Sequence, residues 1–286
     1  MKILVLGASG MIGSTFLSVL SRKPGWEVFG SVRDGGITTF FPDHIAERIF
    51  SGIDLGNLDQ VIKVISKVQP NVVINCAGLT KHRLEAAIPL DSIMINSLLP
   101  HRIAEVCRLV GARIIHISTD CVFSGTKGGY IEKDVPDASD LYGRSKVLGE
   151  LEYEHSVTLR TSTIGRELNT KHGLLEWFLS QKEECSGYRK AIFSGFPTSV
   201  FAGIVRDYVI PNDRLCGLYH VSAAPIDKFT LLTLIAEAYE KCIRIVPDDN
   251  LVIDRSLDSS RFTAATGYGP PEWSSLIHEM RNQPTL

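Results

Sequence analysis

The sequence predicts an α/β chain, a doubly wound parallel sheet covered by helices, followed by a smaller C-terminal lobe. Three observations carry this. Short runs of branched apolar residues alternate with longer segments of helical spacing through the first half. Those short runs are apolar nearly throughout, as strands buried on both faces of a parallel sheet are. The first of them ends in a glycine-rich turn, Gly7-Ala8-Ser9-Gly10-Met11-Ile12-Gly13, that opens a helix.

Taken in order, residues 3–6 form the first strand and 11–20 the first helix, with Ile12, Phe16, Leu17 and Leu20 on one face. Strands are predicted at 27–32 and 48–53, a helix at 58–68 and a strand at 72–75. A long helix over 92–109 and a strand over 113–118 continue the alternation. Beyond Leu159 the rhythm loosens. Helical segments at 174–180 and 229–242 are separated by loops carrying Pro197, Pro211, Pro225 and Pro247.

Composition bounds the function classes. The chain has 286 residues, of which 44% are hydrophobic and 22% charged, which excludes a disordered, collagenous or coiled-coil protein. A net charge of −2 argues against a nucleic-acid or anionic-membrane partner. No apolar run approaches the roughly 18 residues of a membrane span. The first apolar run stops at Gly7, too soon for a secretory signal, so a cytoplasmic location is expected. Cys76, Cys107, Cys121, Cys185, Cys216 and Cys242 are scattered and read as reduced thiols. No metal site is evident, and His101, His116 and His220 look isolated.

Ligands of a parallel α/β sheet bind beyond the carboxyl ends of the strands, so the chemistry is sought there. In the first turn Gly7 permits the tight bend, Gly10 lets backbone approach a pyrophosphate, and Gly13 lets helix and strand pack closely. Ser9, Met11 and Ile12 complete the cradle at the helix N-terminus, where free N–H groups favour phosphate. At the end of the second strand an acidic residue would bind the ribose hydroxyls of NAD, but Val32-Arg33 stands there. Arg33 offers a planar fork for a 2′-phosphate, so NADPH is favoured and NADH admitted, with Asp34 close by.

Ser118-Thr119-Asp120 closes the fifth strand, and Tyr142-Gly143-Arg144-Ser145-Lys146 follows on a helix. Tyr142 and Lys146 are one helical turn apart and share a face. Carbonyl reduction needs a proton donor for the developing alkoxide. A tyrosine serves when a neighbouring ammonium lowers its pKa, and Thr119 can bond the oxygen where charge develops. Lys146 can also hold the nicotinamide ribose, so Tyr142 and Lys146 count among the cofactor-binding residues as well.

These residues carry a resemblance. The GxxGxxG spacing resembles the extended short-chain dehydrogenase/reductases. In that superfamily a dipeptide like Asp54-Leu55 contacts adenine, and an NxAG segment like Asn75-Cys76-Ala77-Gly78 passes close to the cofactor, with Asn75 bracing the sheet. Asn96 lies where a helix asparagine supports the active site or merely caps the helix. Ser118-Thr119-Asp120-Cys121-Val122-Phe123-Ser124-Gly125, Tyr130-Ile131-Glu132 and the Tyr142 to Lys146 segment with Gly149-Glu150 resemble the dTDP-4-dehydrorhamnose reductase family. The resemblance implies an NADPH-dependent oxidoreductase that reduces the 4-keto group of a nucleotide-activated 6-deoxyhexose for surface polysaccharide synthesis. It implies Thr119, Tyr142 and Lys146 as catalytic residues. On this basis residues 1–160 form the Rossmann-type unit holding cofactor and catalytic residues, and 161–286 an interleaved substrate lobe. A homodimer is compatible with the family.

The departures open alternatives. Cys121 replaces an aromatic residue and Thr163 a tryptophan of the rhamnose enzymes. Epimerase-reductases similar to GDP-fucose synthase use a cysteine at the place of Cys121 and a later histidine, here His172, to exchange a proton beside the ketone. A further alternative is a nucleotide-binding regulatory subunit without catalysis. Lys81, with His82 and Arg83, and Arg189, Lys190, Arg255 and Arg261 are candidates for gripping the substrate's phosphates. The segment Asp254 to Asp258 resembles a family stretch facing the substrate.

Overall fold

The structure is a computed structural model describing residues 1–80 and 87–283. Its centre is a seven-stranded, wholly parallel sheet. The first six strands are β1 (Lys2–Leu6), β2 (Glu27–Ser31), β3 (Ile49–Phe50), β4 (Val72–Asn75), β5 (Arg113–Thr119) and β6 (Ser156–Thr161). Among them run helices α1 (Met11–Ser21), α2 (Asp43–Ala46), α3 (Leu58–Val68), α4 (Pro89–Ser92), α5 (Leu99–Val110) and α6 (Leu141–Val147).

The later half begins with β7 (Thr163–Ile164), α7 (Leu174–Ser180), β8 (Glu184–Tyr188), β9 (Ala191–Phe193), β10 (Phe196–Pro197) and α8 (Thr198–Ile204). It then returns to the sheet through β11 (Gly217–His220), pairing with β6. The sheet order is β11-β6-β5-β4-β1-β2-β3. The remainder comprises β12 (Ile226–Asp227), α9 (Lys228–Ala238), β13 (Arg244–Asp248), β14 (Ile253–Asp254), α10 (Ser260–Thr266) and α11 (Trp273–Asn282). Its strands form small sheets with β8 and β9, while β7 pairs with β10.

The apolar strands are explained by burial on both sides. Ile3 and Val5 of β1 join the core containing Phe16, Leu17 and Phe201 of α1 and α8. Leu4 and Leu6, pointing the other way, join Val61, Ile65 and Ile103 of α3 and α5. No helix among the described residues is long and apolar enough to cross a membrane.

Three predicted elements differ in extent. The third strand is only two residues, because it is an edge that meets β2 alone and turns away at Gly52, whose φ is 74°. The long helix starts earlier, at Pro89, and passes through a π-helical turn over Ile93–Leu98 before α5. The helix after Phe229 ends at Ala238, where Glu240 takes a φ of 54°. The strand order reverses beside β1, whose neighbours are β2 and β4. The crevice beyond the carboxyl ends of β1 and β4 is thus the ligand position of this topology.

Candidate active site

The two lips of that crevice touch. Gly7 has a φ of 78°, and a Cβ on it would stand 3.0 Å from the Ala77 backbone nitrogen. A Cβ on Gly13 would collide with the Gly7 carbonyl oxygen, so glycine is what lets α1 start against β1. Gly10 is different. The nearest atom to a Cβ there is 3.6 Å away, so nothing among the described residues demands a glycine at this position. Gly10 is also the N-cap of α1 and makes no side-chain cap bond, leaving first-turn N–H groups for an anion.

A cavity of about 720 Å³ opens here. Ser9, Gly10, Met11 and Ile12 line one side, Cys76 and Gly78 another, and Arg33 the end of β2. Arg33 is exposed. Val32 is buried in the core, and Asp34 caps the following turn by accepting from Gly36 N–H at 2.9 Å. The cavity therefore fits a dinucleotide phosphate chain with an arginine at the ribose end. Asp54 and Leu55 are not on its lining. Asp54 accepts from Gly56 N–H at 2.9 Å, and Leu55 packs with the α3–α5 core. Ala77 is buried behind Cys76 and Gly78.

The catalytic candidates meet where β5 hands over to its turn. The Thr119 hydroxyl donates to Asp120 Oδ1 at 3.1 Å and accepts the Cys121 N–H at 3.1 Å. The half-buried Tyr142 hydroxyl bonds the Thr119 side chain. Asp140 caps α6, accepting from Gly143 N–H at 2.7 Å. Gly143 brings the helix close, since a Cβ there would strike the Cys121 carbonyl oxygen. Burial raises the Tyr142 phenol above its ordinary range, with Cys121, Asp120 and Asp140 adding to it and the Thr119 bond opposing.

Lys146, one turn along α6, is buried. Its Nζ donates to the Ile117 carbonyl oxygen at 2.8 Å and lies 3.4 Å from His116 Nε2. The expected lowering of the tyrosine is not found, since the net shift of the phenol is upward. Burial lowers Lys146 itself to about 8, with Glu150 and Cys76 opposing.

Behind these groups lies scaffolding that sequence reasoning missed or misplaced. Asn96 is fully buried, not a surface or capping residue. Its amide pairs with both backbone groups of Leu79, at 2.8 and 3.0 Å, and donates to Ser145 Oγ at 3.1 Å. It thus ties the loop after β4 to α6 through the π-helical turn, a distortion common at functional sites. Ser118 donates to Glu150 Oε1 at 2.7 Å, and Arg160 clamps the same carboxylate through two bonds of 2.7 Å. The three histidines are not isolated. His116 sits at Lys146, His220 Nε2 lies 3.2 Å from Arg160 Nη1, and His101 bonds Tyr153 and Leu148. Each partner is distant in sequence, so only the spacing of whole elements could have revealed it.

The substrate candidates scatter. Arg255 is at the site, donating to the Phe123 carbonyl oxygen at 2.7 Å with Nη1 3.7 Å from Cys121 Sγ. Its segment is held to the turn after β5 by the bonds Asp254 N–H to Gly125 O and Tyr130 N–H to Ser256 O. Arg189 is elsewhere, exposed and paired through two bonds with Asp249. Lys190 is exposed, and Arg261 lies over the Tyr219 ring. His172 lines the dinucleotide cavity just before α7, whereas Cys121 is outside that lining, against Arg255 and Thr119. Lys81, His82 and Arg83 lie outside the described residues.

Comparison with known proteins agrees with this architecture. The family model described as RmlD substrate binding domain matches residues 1–240. The chain is 24% identical to the dTDP-4-dehydrorhamnose reductase of Aggregatibacter actinomycetemcomitans, over 98% of each chain. It is 28% identical to the methionine adenosyltransferase 2 subunit beta of Rattus norvegicus, over 52% of this chain and 41% of that one. The structure of dTDP-4-dehydrorhamnose reductase from Bacillus anthracis in complex with NADP superposes with a TM-score of 0.79, 20% identity and 99% of both chains covered.

Proposed function

The chain belongs to the RmlD substrate binding domain family, and from that premise we propose that it is an NADPH-dependent reductase of nucleotide-activated 4-keto-6-deoxyhexoses. The observation that carries the reading is the Tyr142–Thr119 bond at the end of β5, with Lys146 one turn along the same helix, beside a cavity lined by Ser9, Gly10 and Arg33. The dinucleotide supplies the hydride that converts the ketone to an alcohol.

The chain's own residues supply the rest. The α1 N-terminus and Gly10 hold the pyrophosphate, and Arg33 holds the 2′-phosphate. Thr119 and Tyr142 bond the sugar's carbonyl oxygen from one side. As negative charge develops there, Tyr142 releases its proton, which it still holds because its phenol is raised. Lys146, one turn along α6, is the cation that neutralises the tyrosinate left behind. Arg255, anchored beside Cys121, bounds the substrate side and meets an anionic nucleotide diphosphate. Residues 161–286 outside β11 and α8 supply that substrate side.

The rat relative raises a second reading, a nucleotide-binding subunit that regulates another enzyme. Retention of all three catalytic groups favours the enzyme. The experiment is to follow NADPH consumption against a panel of 4-keto sugar nucleotides. Turnover with a 4-keto-6-deoxyhexose supports the reductase. Tight NADPH binding with no consumption on any member supports the regulatory subunit instead.

A further inference from the structure

β5 delivers to Lys146 a second ionisable side chain for which the reductase chemistry has no role. His116 is fully buried, with Nε2 3.4 Å from Lys146 Nζ and Nδ1 3.1 Å from Asn75 Nδ2. The direction of each bond follows from the far end of this chain. The Ala77 backbone N–H can only donate, and it donates to Asn75 Oδ1 at 3.1 Å. The Asn75 NH2 group is thereby turned to His116, whose Nδ1 must accept. Burial, then Lys146 and His101, hold the imidazole well below its ordinary pKa, so it is neutral. A neutral imidazole that accepts at Nδ1 carries its hydrogen on Nε2. That N–H points at Lys146.

The two protonation states of Lys146 meet it differently. Nζ already donates to the Ile117 carbonyl oxygen. A neutral amine can turn its lone pair to the Nε2–H, whereas an ammonium has only hydrogens to offer and sets N–H against N–H. The other titratable groups around Nζ favour the cation: Glu150, just past the end of its own helix, and Cys76, in the loop after β4. His101 on α5 acts on the imidazole.

We propose that His116 is a positioning residue whose tautomer, set by Ala77 and Asn75, disfavours the ammonium form of Lys146 and couples that lysine's protonation to the backbone of the cavity-lining segment 76–78. A ligand that engages this segment and draws the Ala77 N–H from Asn75 frees the amide to turn. The imidazole then takes its hydrogen on Nδ1 and offers Nε2 as an acceptor, and Lys146 takes up one proton from solvent. The meaning for catalysis rests on reading Lys146 as the reductase's lysine; the protonation coupling itself does not.

The test is nuclear magnetic resonance on the intact protein without substrate. Histidine nitrogen shifts report the His116 tautomer, assigned by its loss in His116→Gln. Lysine Cε shifts report the Lys146 titration, assigned by its loss in Lys146→Arg. Wild type is expected to show the Nε2–H tautomer. In His116→Gln, whose amide oxygen can accept from the ammonium, the Lys146 midpoint should rise by on the order of one pH unit. Asn75→Asp provides a second variant, since its carboxylate accepts from Nδ1–H and should invert the tautomer and raise the midpoint too. An Nδ1–H tautomer in wild type, or one midpoint shared by wild type and both variants, overturns the proposal. Activity assays across pH address the reductase separately: no turnover at any pH sinks that reading and leaves the resonance result standing.

Discussion

At the scale of single residues, the catalytic reading depends on which proton is held where. Tyr142 keeps its proton because burial outweighs its bond to Thr119, so it holds the one group a nascent alkoxide needs. Tyr142→Phe should lower kcat by on the order of 10²–10⁴-fold, the usual worth of a positioned general acid, while NADPH binds as before. Steady-state kinetics with fluorescence titration of NADPH checks both halves, and near-normal kcat would remove Tyr142 from the mechanism. In the proposed reading Arg33 carries the cofactor preference. Losing a charged phosphate contact costs about 1.5–3 kcal/mol, so Arg33→Ala should raise the NADPH Kd roughly 10–100-fold and leave NADH nearly unchanged. Equal loss for both cofactors would show that Arg33 does not read the 2′-phosphate. These two residues were legible in the sequence because each sits at a strand end or in a one-turn motif. Asp54 and Leu55 were equally visible, and in the structure the Asp54 carboxylate holds a turn while Leu55 packs partly buried against the α3–α5 core. A motif places the backbone of such a segment and says little about where its side chains go.

At the scale of elements, the site is a set of close approaches made by glycine. Gly7 and Gly13 seat α1 on β1, and Gly143 seats α6 on the turn after β5. In Gly143→Ala the new methyl meets the Cys121 carbonyl and Ala138 Cβ, and overpacking of this kind costs about 1–3 kcal/mol. The helix must retreat, so kcat should fall at least tenfold with NADPH affinity preserved, since the glycine turn after β1 is untouched. A variant with wild-type kcat would mean that the approach of α6 does not set the geometry. The strands and most helices of the first half were legible because a parallel sheet imposes apolar runs of fixed meaning. The π-helical turn at Ile93–Leu98 was not. It is accompanied by the Asn96 side chain gripping Leu79, 17 residues away, and by Gly149 packing against the Asn96 carbonyl, contacts far beyond any local pattern.

At the scale of the whole molecule, a buried ion pair fastens the late chain to the early one. Arg160 on β6 and Glu150 after α6 are 3% and 9% exposed, and the pair reaches Ser118 on β5 and His220 on β11. Arg160 also lies over the Phe123 ring, which stacks on Tyr130. Removing one partner strands a buried charge, so Arg160→Met should destabilise the protein by about 3–5 kcal/mol, and adding Glu150→Gln should recover much of that. Denaturant unfolding of the single and double variants measures this, and additive losses would refute the coupling. The return of residues 217–220 to the central sheet was not legible, because a short edge strand in a loose, proline-punctuated region carries no periodic signal. The proposed hydride delivery to one sugar carbon is a step that isotope transfer reads atom by atom. With NADPH dideuterated at the nicotinamide C4 and a dTDP-4-keto-6-deoxyhexose, the product should carry one deuterium at sugar C4, and the rate of labelling should fall by on the order of 10²–10⁴-fold in Tyr142→Phe. Oxidised NADPH without deuterium at that carbon, or label transfer unaffected in Tyr142→Phe, would contradict it.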